Sequence, residues 1–239
     1  MAVFSKRSKL HLSPEDIRNL SCFVYRESDG LIASAFSNLP LALKQHCVRV
    51  GIVAGQMAFH APDSAIPPGM TRCEYANAVR YGCLYHDIGA YLVYNQQQEY
   101  PAAGERFLRE QFGESDAKSA ANQVSLQTLY ACGERHNGQG YPNGLAGQDI
   151  PLHAGLCAIA NELDIMLSGQ SGVHKITIAE VGVSIRNQMG TAFSPEAVMC
   201  FMAALEGLAG LYKRWRRHPP LRNQCSIKPL LMLMDNPAG

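Results

Sequence analysis

The 239-residue sequence has eight cysteines but no C-x-x-C pair. The missing pairs argue against a thiol zinc site or a disulfide framework, so we interpret the cysteines as reduced, small hydrophobic residues. No apolar run reaches the roughly 18 residues needed to span a bilayer, and no signal-like apolar segment follows the basic N-terminus. These absences predict a cytoplasmic protein without a membrane partner.

Charge is also scarce. Charged residues make up 17% of the chain and the net charge is +1, against about 25% charged residues in a typical soluble domain. The near-neutral balance excludes a disordered chain and predicts no nucleic-acid polymer as partner. The low charged fraction also suggests that part of the surface faces a partner, so a homodimer is compatible with the composition. The basic cluster from Lys213 to His218 fits a solvated helix end, with an anionic contact as the alternative.

Strand-like alternation of apolar and polar residues is absent, whereas helical spacing recurs along the chain. Apolar residues spaced by three, four or seven positions between 39 and 60 predict a helix with one buried face. A glycine- and proline-rich stretch over 133–151 predicts a long structured loop. We therefore predict an all-α helical bundle with this loop, with helices starting at Ser13 and covering 39–60, 72–87, 102–112, 117–132, 154–167, 176–189 and 194–212.

His86 and Asp87 form an adjacent imidazole and carboxylate. Neighbouring residues on a helix point about 100° apart, so two such side chains reach a common centre only where the helix ends, and Gly89 provides such an end. With a second histidine, for which His46 is the candidate, the set would bind a metal ion and leave positions open for water or phosphate. The alternative is an ordinary helix C-terminus.

Three segments in order, 46–50, 84–89 and 138–152, resemble the HD-GYP branch of the HD phosphohydrolase superfamily. The resemblance extends over about residues 35 to 207. It implies an HD-type helical bundle with two or three metal ions, often iron or manganese, that hydrolyses the bacterial messenger cyclic di-GMP. It also suggests an N-terminal extension with a short helix (1–35), an HD-GYP-like domain (36–212) and a basic C-terminal tail (213–239).

The resemblance assigns His46, His86 and Asp87 as metal ligands. It places Asn161 where the family has an aspartate, and the carbonyl of this neutral amide would be the fourth ligand of a single ion. Asp87 and Tyr141 would serve catalysis. Other positions where the family has metal ligands or a phosphate-binding lysine hold Ala42, Ala90, Tyr100, Cys132 and Gly133. We therefore expect a divalent ion, iron or manganese, to bind weakly or not at all, because a single carboxylate remains among the matched ligands.

Five residues have two interpretations each. Cys132 is either a soft replacement ligand or a packed thiol. His136 and His153 flank the Gly-rich loop and either enter the cleft or are surface or loop histidines. Asp164, one helical turn past Asn161, either replaces the missing carboxylate or joins its helix to a loop by a hydrogen bond. Tyr141 either lines the cleft or fixes the loop.

Two functions follow from the resemblance. The first is a degenerate domain with reduced or lost phosphodiesterase activity and a regulatory role, in which Gly138, Gly140, Tyr141 and Pro142 dock a messenger-synthesising or other signalling protein. The second is an active metal-dependent phosphohydrolase acting on cyclic di-GMP or a smaller nucleotide phosphoester. A helical scaffold unrelated to nucleotides is the third reading.

Overall fold

The structure of the protein is a computed structural model that describes residues 29–93, 97–168 and 176–216. Eight α-helices lie in these ranges, and the backbone forms only isolated β-bridges there, so the predicted all-α class is confirmed. The helices are α1 (Asp29–Ser37), α2 (Leu41–Ala58), α3 (Arg72–Leu84), α4 (Tyr100–Ala117), α5 (Ala120–Ala131), α6 (Leu152–Ser168), α7 (Ile178–Asn187) and α8 (Pro195–Trp215). The predicted start at Ser13 lies outside the described residues.

Side-chain caps start several helices. Thr71 and Glu74 form a capping box at α3, and Thr177 and Glu180 form another at α7. At α8 the Ser194 hydroxyl accepts a hydrogen bond from the Ala197 amide, with Pro195 in the first turn. Each cap satisfies a backbone amide that has no partner within its helix. Because caps depend on residue type at neighbouring positions, the start of α8 can be predicted from the sequence.

The end of α3 departs from the prediction. The helix ends at Leu84, not at residue 87, and a 3₁₀ turn, Ile88–Tyr91, follows. His86 and Asp87 therefore lie in the turn between the two helical segments. Gly89 belongs to the 3₁₀ turn, where a Cβ atom would lie 2.2 Å from the Tyr100 carbonyl oxygen. This close backbone approach accounts for glycine at position 89.

Helix α2 occupies the centre of the bundle and packs against α3, α6 and α8. Its residues Val50, Val53 and Met57 are completely buried in the main hydrophobic core. A second core cluster includes Phe36 of α1, so the predicted domain boundary at residue 35 falls inside a packed helix. None of the helices in the described ranges has the length and apolarity to cross a membrane.

His153 does not enter the cleft; it lies buried in the first turns of α6. Its Nε2 lies 3.1 Å from the Gln127 Oε1, and its ring packs edge-on against Tyr75. Burial lowers the pKa of His153 to about 4. This histidine is buried within a helix, so the predicted surface or loop position is wrong for it, as is a position in the cleft.

Acidification should destabilise the protein through His153. Because its pKa is lower in the folded chain, the unfolded chain binds more protons, so stability falls as the pH drops below about 6.5 and the loss is complete near pH 4. We expect a contribution of about 2 kcal/mol between pH 7 and pH 5. Urea unfolding of wild type and His153→Gln at both pH values measures it. An equal pH dependence in the two proteins would contradict this expectation.

Candidate metal centre

His46, His86 and Asp87 meet at one point between α2 and the end of α3. One potential ligand atom from each lies within 4.8 Å of the others. The Asp87 Oδ2 lies 3.9 Å from the His46 Nε2 and 3.4 Å from the His86 Nε2. The end of α3 produces this arrangement, because a continuing helix would direct His86 and Asp87 about 100° apart. The structure thus brings together the three residues that the sequence analysis selected as unchanged ligands.

The imidazole of His86 has a fixed orientation. Its Nδ1 donates a hydrogen bond of 2.8 Å to the Cys83 carbonyl oxygen, which leaves the Nε2 with a lone pair. This Nε2 is buried and has no hydrogen-bond partner in the part of the chain that the structure describes. Burial lowers the pKa of His86, against the opposing effect of Asp87. A neutral imidazole with a buried, unpartnered lone pair has the chemistry of a metal ligand.

The imidazole of His46 is oriented from behind by Asp164. The His46 Nδ1 donates to the Asp164 Oδ2 at 2.8 Å, so the Nε2 lone pair faces Asp87. A carboxylate that fixes the far nitrogen of a histidine is the usual support of a metal-ligating imidazole. The donor set of His46, His86 and Asp87 therefore fits a divalent ion.

Asp164 is completely buried on α6, and cations and donors surround it. Arg49 donates to both carboxylate oxygens, at 2.6 and 2.8 Å, and the Tyr212 hydroxyl donates to Oδ1 at 3.0 Å. Burial would raise the pKa of Asp164, but hydrogen bonds from His46 and Arg49 lower it overall. Asp164 is thus an ionised support for His46. Its partners lie on α2 and α8, so the expected bond to a loop is wrong.

A cavity of about 230 Å³ opens beside the three residues. Asn161 lines it one helical turn before Asp164, and so does Tyr141 from the Gly-rich loop. Burial raises the pKa of Tyr141, so its phenol stays protonated. The rest of the wall is apolar or neutral and comprises Leu43, Tyr100, Pro101, Cys132, Gly133 and Ile165.

Cys132 lies in the cavity wall as a protonated thiol. Its Sγ donates to the Leu129 carbonyl oxygen at 3.3 Å, and a hydrogen bond with Cys157 and burial raise its pKa well above the ordinary value. A metal ligand must be a thiolate, so these contacts favour the packed interpretation. His136 does not line the cavity; its backbone amide donates to the Ala192 carbonyl oxygen at 3.0 Å.

Glu134, which the sequence analysis did not select, organises the Gly-rich loop. Its buried carboxylate accepts hydrogen bonds from the backbone amides of Asn143, at 2.8 Å, and Leu145, at 3.1 Å. The Tyr141–Pro142 peptide bond is cis, and Gly138 has a positive φ of 78°. In the sequence, the only signal for this role of Glu134 is its position just before the glycines of the loop. The loop is a fixed surface feature held by an acidic side chain within it.

Tyr141 satisfies both of its interpretations. It lines the cavity, and its ring packs so closely on Gly133 that a Cβ atom there would lie 2.6 Å from Cε2. Its amide also donates to the Gly133 carbonyl oxygen at 3.1 Å. The loop thereby carries an aromatic side chain into the wall of the cavity that the metal-ligand candidates also line.

Substitution of Gly140 with alanine should distort the loop. A Cβ atom at this position would lie 2.3 Å from the Arg135 amide nitrogen and 2.4 Å from the Glu134 Cα. We expect Gly140→Ala to lower the free energy of unfolding by about 1–3 kcal/mol. The matched control is Gly207→Ala on α8, where a Cβ atom would meet nothing within 4 Å; it should leave stability unchanged or raise it. Equal chemical denaturation curves for wild type and Gly140→Ala would contradict the expected strain.

Known proteins with similar sequences are phosphodiesterases. The chain is 23% identical over 185 residues, 71% of its length, to a cyclic di-GMP phosphodiesterase of Thermotoga maritima, and covers 46% of that protein. It is 33% identical over 128 residues, 52% of its length, to the cyclic di-GMP phosphodiesterase response regulator RpfG of Xanthomonas campestris pv. campestris, and covers 32% of it. The chain thus spans less than half the length of these curated relatives. No family model matches the chain.

A solved structure has the same fold. The crystal structure of a cyclic GMP-AMP specific phosphodiesterase of V. cholerae, V-cGAP3, aligns with a TM-score of 0.50 and 16% identity over 92% of this chain and 60% of its own. A helical bundle that joins one histidine to a His-Asp pair at the end of another helix defines a domain of the HD type. Together with the names of the sequence relatives, this fold supports the predicted resemblance to the HD-GYP branch of the HD superfamily.

Proposed function

We propose that the protein is a degenerate HD-GYP domain of cyclic di-GMP signalling, with reduced or lost phosphodiesterase activity and a regulatory or protein-interaction role. The observation that carries this proposal is the charge of the cavity. Among the described residues, Asp87 is the one carboxylate in its wall, beside His46 and His86, while Asn161, Tyr100 and Cys132 offer neutral groups.

One carboxylate cannot offset the charge of two neighbouring divalent ions. Two-metal hydrolysis needs ions a few ångströms apart that clamp the attacking and leaving oxygens, and close cations require anionic ligands between them. A single divalent ion, when bound by His46, His86 and Asp87 with the Asn161 carbonyl, would polarise a phosphate oxygen and lower the pKa of a coordinated water. The described residues offer no comparable set of ligands for a second ion.

The proposed ligand is a cyclic dinucleotide, the substrate class in the names of the relatives. The cavity of about 230 Å³ is smaller than the roughly 300–1,000 Å³ of sites that enclose a drug-sized ligand. We infer that it receives one phosphodiester and its sugar, with Tyr141 against them, while the rest of the dinucleotide stays outside.

The Gly-rich loop supplies the interaction surface in this proposal. Glu134 fixes its backbone from within, so Gly138, Gly140 and Pro142 present a preorganised surface that loses little conformational freedom on binding. The partner would be a messenger-synthesising or other signalling protein. This role needs no metal ion.

An active phosphohydrolase with one metal ion is the second candidate. It is favoured by the His86 Nε2, which is buried, unpartnered and directed at Asp87. An imidazole kept in this state costs stability unless an ion or a donor occupies the site.

Hydrolysis and binding of cyclic di-GMP separate the two functions. Wild type, His86→Ala and Asn161→Asp are each assayed with added Mn²⁺ or Fe²⁺. A degenerate domain binds the dinucleotide without turnover, whereas metal-dependent turnover that His86→Ala abolishes supports the enzyme. Asn161→Asp supplies the missing carboxylate and should raise the affinity for Mn²⁺. Absence of both binding and hydrolysis in wild type overturns both candidates.

A further inference from the structure

Tyr212 links the end of α8 to the candidate metal centre. It lies on the last turn of that helix, 8% exposed, and its ring packs edge-on against Trp215 with centroids 4.9 Å apart. Its hydroxyl donates to the Asp164 Oδ1, while the Asp164 Oδ2 accepts from the His46 Nδ1. One buried carboxylate therefore joins a metal-ligand candidate to the C-terminal turn of α8.

We propose that Tyr212 is a positioning residue for the metal centre and couples the C-terminal turn of α8 to the affinity of the centre for a divalent ion. This inference rests on the single-ion site of the proposed function. It concerns a residue that never faces the cavity, since Tyr212 is absent from the cavity wall.

The geometry of the carboxylate explains the coupling. Arg49 and Tyr212 hold Oδ1, and Arg49 and His46 hold Oδ2, so both oxygens of Asp164 are fixed by two donors each. Without the Tyr212 hydroxyl, Oδ1 keeps only Arg49, and the carboxylate gains freedom to rotate. The His46 ring that it orients is then less preorganised, and ion binding must pay the ordering cost.

Coupling of this kind is reciprocal. If Tyr212 raises the affinity for the ion, then the bound ion must stabilise the contact of Tyr212 with Asp164 by the same free energy. The affected segment is the last turn of α8, where Lys213, Arg214 and Arg216 lie at the surface. Contacts made at this exposed turn would thereby reach a centre inside the bundle.

Mn²⁺ titration of Tyr212→Phe tests the proposal, with calorimetry as the readout. Loss of one buried hydrogen bond should weaken Mn²⁺ binding roughly three- to tenfold. The matched control is Tyr75→Phe, because Tyr75 is completely buried in the core and its hydroxyl has no partner among the described residues. That variant should bind Mn²⁺ as wild type does. A purely structural role for Tyr212 would lower stability and leave the affinity of the folded protein unchanged.

Amide hydrogen exchange provides a second, independent measurement. In wild type, Mn²⁺ should slow exchange in the segment 208–216, and the slowing should shrink in Tyr212→Phe. Equal Mn²⁺ affinity in Tyr212→Phe and wild type, or no metal-dependent protection of this segment, overturns the inference while the metal centre stands. Failure of wild type to bind Mn²⁺ overturns both the single-ion site and the inference.

Discussion

Replacement of Asp164 with alanine is expected to lower the free energy of unfolding by about 3–5 kcal/mol, because removal of one partner leaves a buried ion pair uncompensated. The variant leaves the Arg49 guanidinium without its buried counter-ion. It also removes the hydrogen-bond acceptor of the Tyr212 hydroxyl and of the His46 Nδ1. Asp164 has no exposed surface, so water cannot replace it. Urea unfolding of wild type and variant at pH 7 measures the loss.

The control for this experiment is an ion pair at the surface. Asp63 pairs with Arg72, but its side chain is 95% exposed. Asp63→Ala should change stability by no more than about 1 kcal/mol. A loss of similar size in Asp164→Ala and Asp63→Ala would show that the buried network contributes nothing beyond an ordinary surface pair.

Replacement of His86 with alanine is expected to weaken Mn²⁺ binding by more than about tenfold, since loss of even a residue that only supports a ligand typically costs 10- to 100-fold. The reason is that the buried Nε2 lone pair of His86 is directed at Asp87, and no other described side chain supplies an equivalent ligand atom there. Titration calorimetry should give one ion per chain for wild type. The same experiment on Asp87→Ala should show a similar loss.

His153→Gln is the matched control for the histidine substitution, because His153 is also buried but bonds to Gln127 and does not line the cavity. It should bind Mn²⁺ as wild type does. Two ions per chain in wild type, or Mn²⁺ binding that survives both His86→Ala and Asp87→Ala, would contradict the single-ion site.

Local sequence signals predicted much of the fold. The start of α8 follows from Ser194 and Pro195, whose effects on a helix end need no distant partner. The end of α3 did not follow from such signals. Whether His86 and Asp87 continue the helix depends on the close approach of Gly89 to Tyr100. This contact forms between two segments whose packing cannot be predicted from local sequence signals.

The candidate site also contains some residues that were predicted from the sequence and others that were not. His46, His86 and Asp87 were recognisable because an adjacent His-Asp pair and a family motif mark them. Asp164 was assigned to the wrong partners, and Glu134 was missed. The role of each acidic residue depends on which hydrogen-bond donors surround its carboxylate. Because both carboxylates are buried, they must accept hydrogen bonds from protein groups, and the sequence does not show which groups these are.

The amino-acid sequence by itself determined the helical class, the start of α8 and the identity of the ligand candidates, because these depend on residue type and short-range spacing. The tertiary structure alone decided that Asp164 orients His46, that Tyr212 reaches the same carboxylate, and that the cavity wall holds one carboxylate. The physical reason is that hydrogen bonds and burial between residues far apart in the chain are fixed only when helices pack.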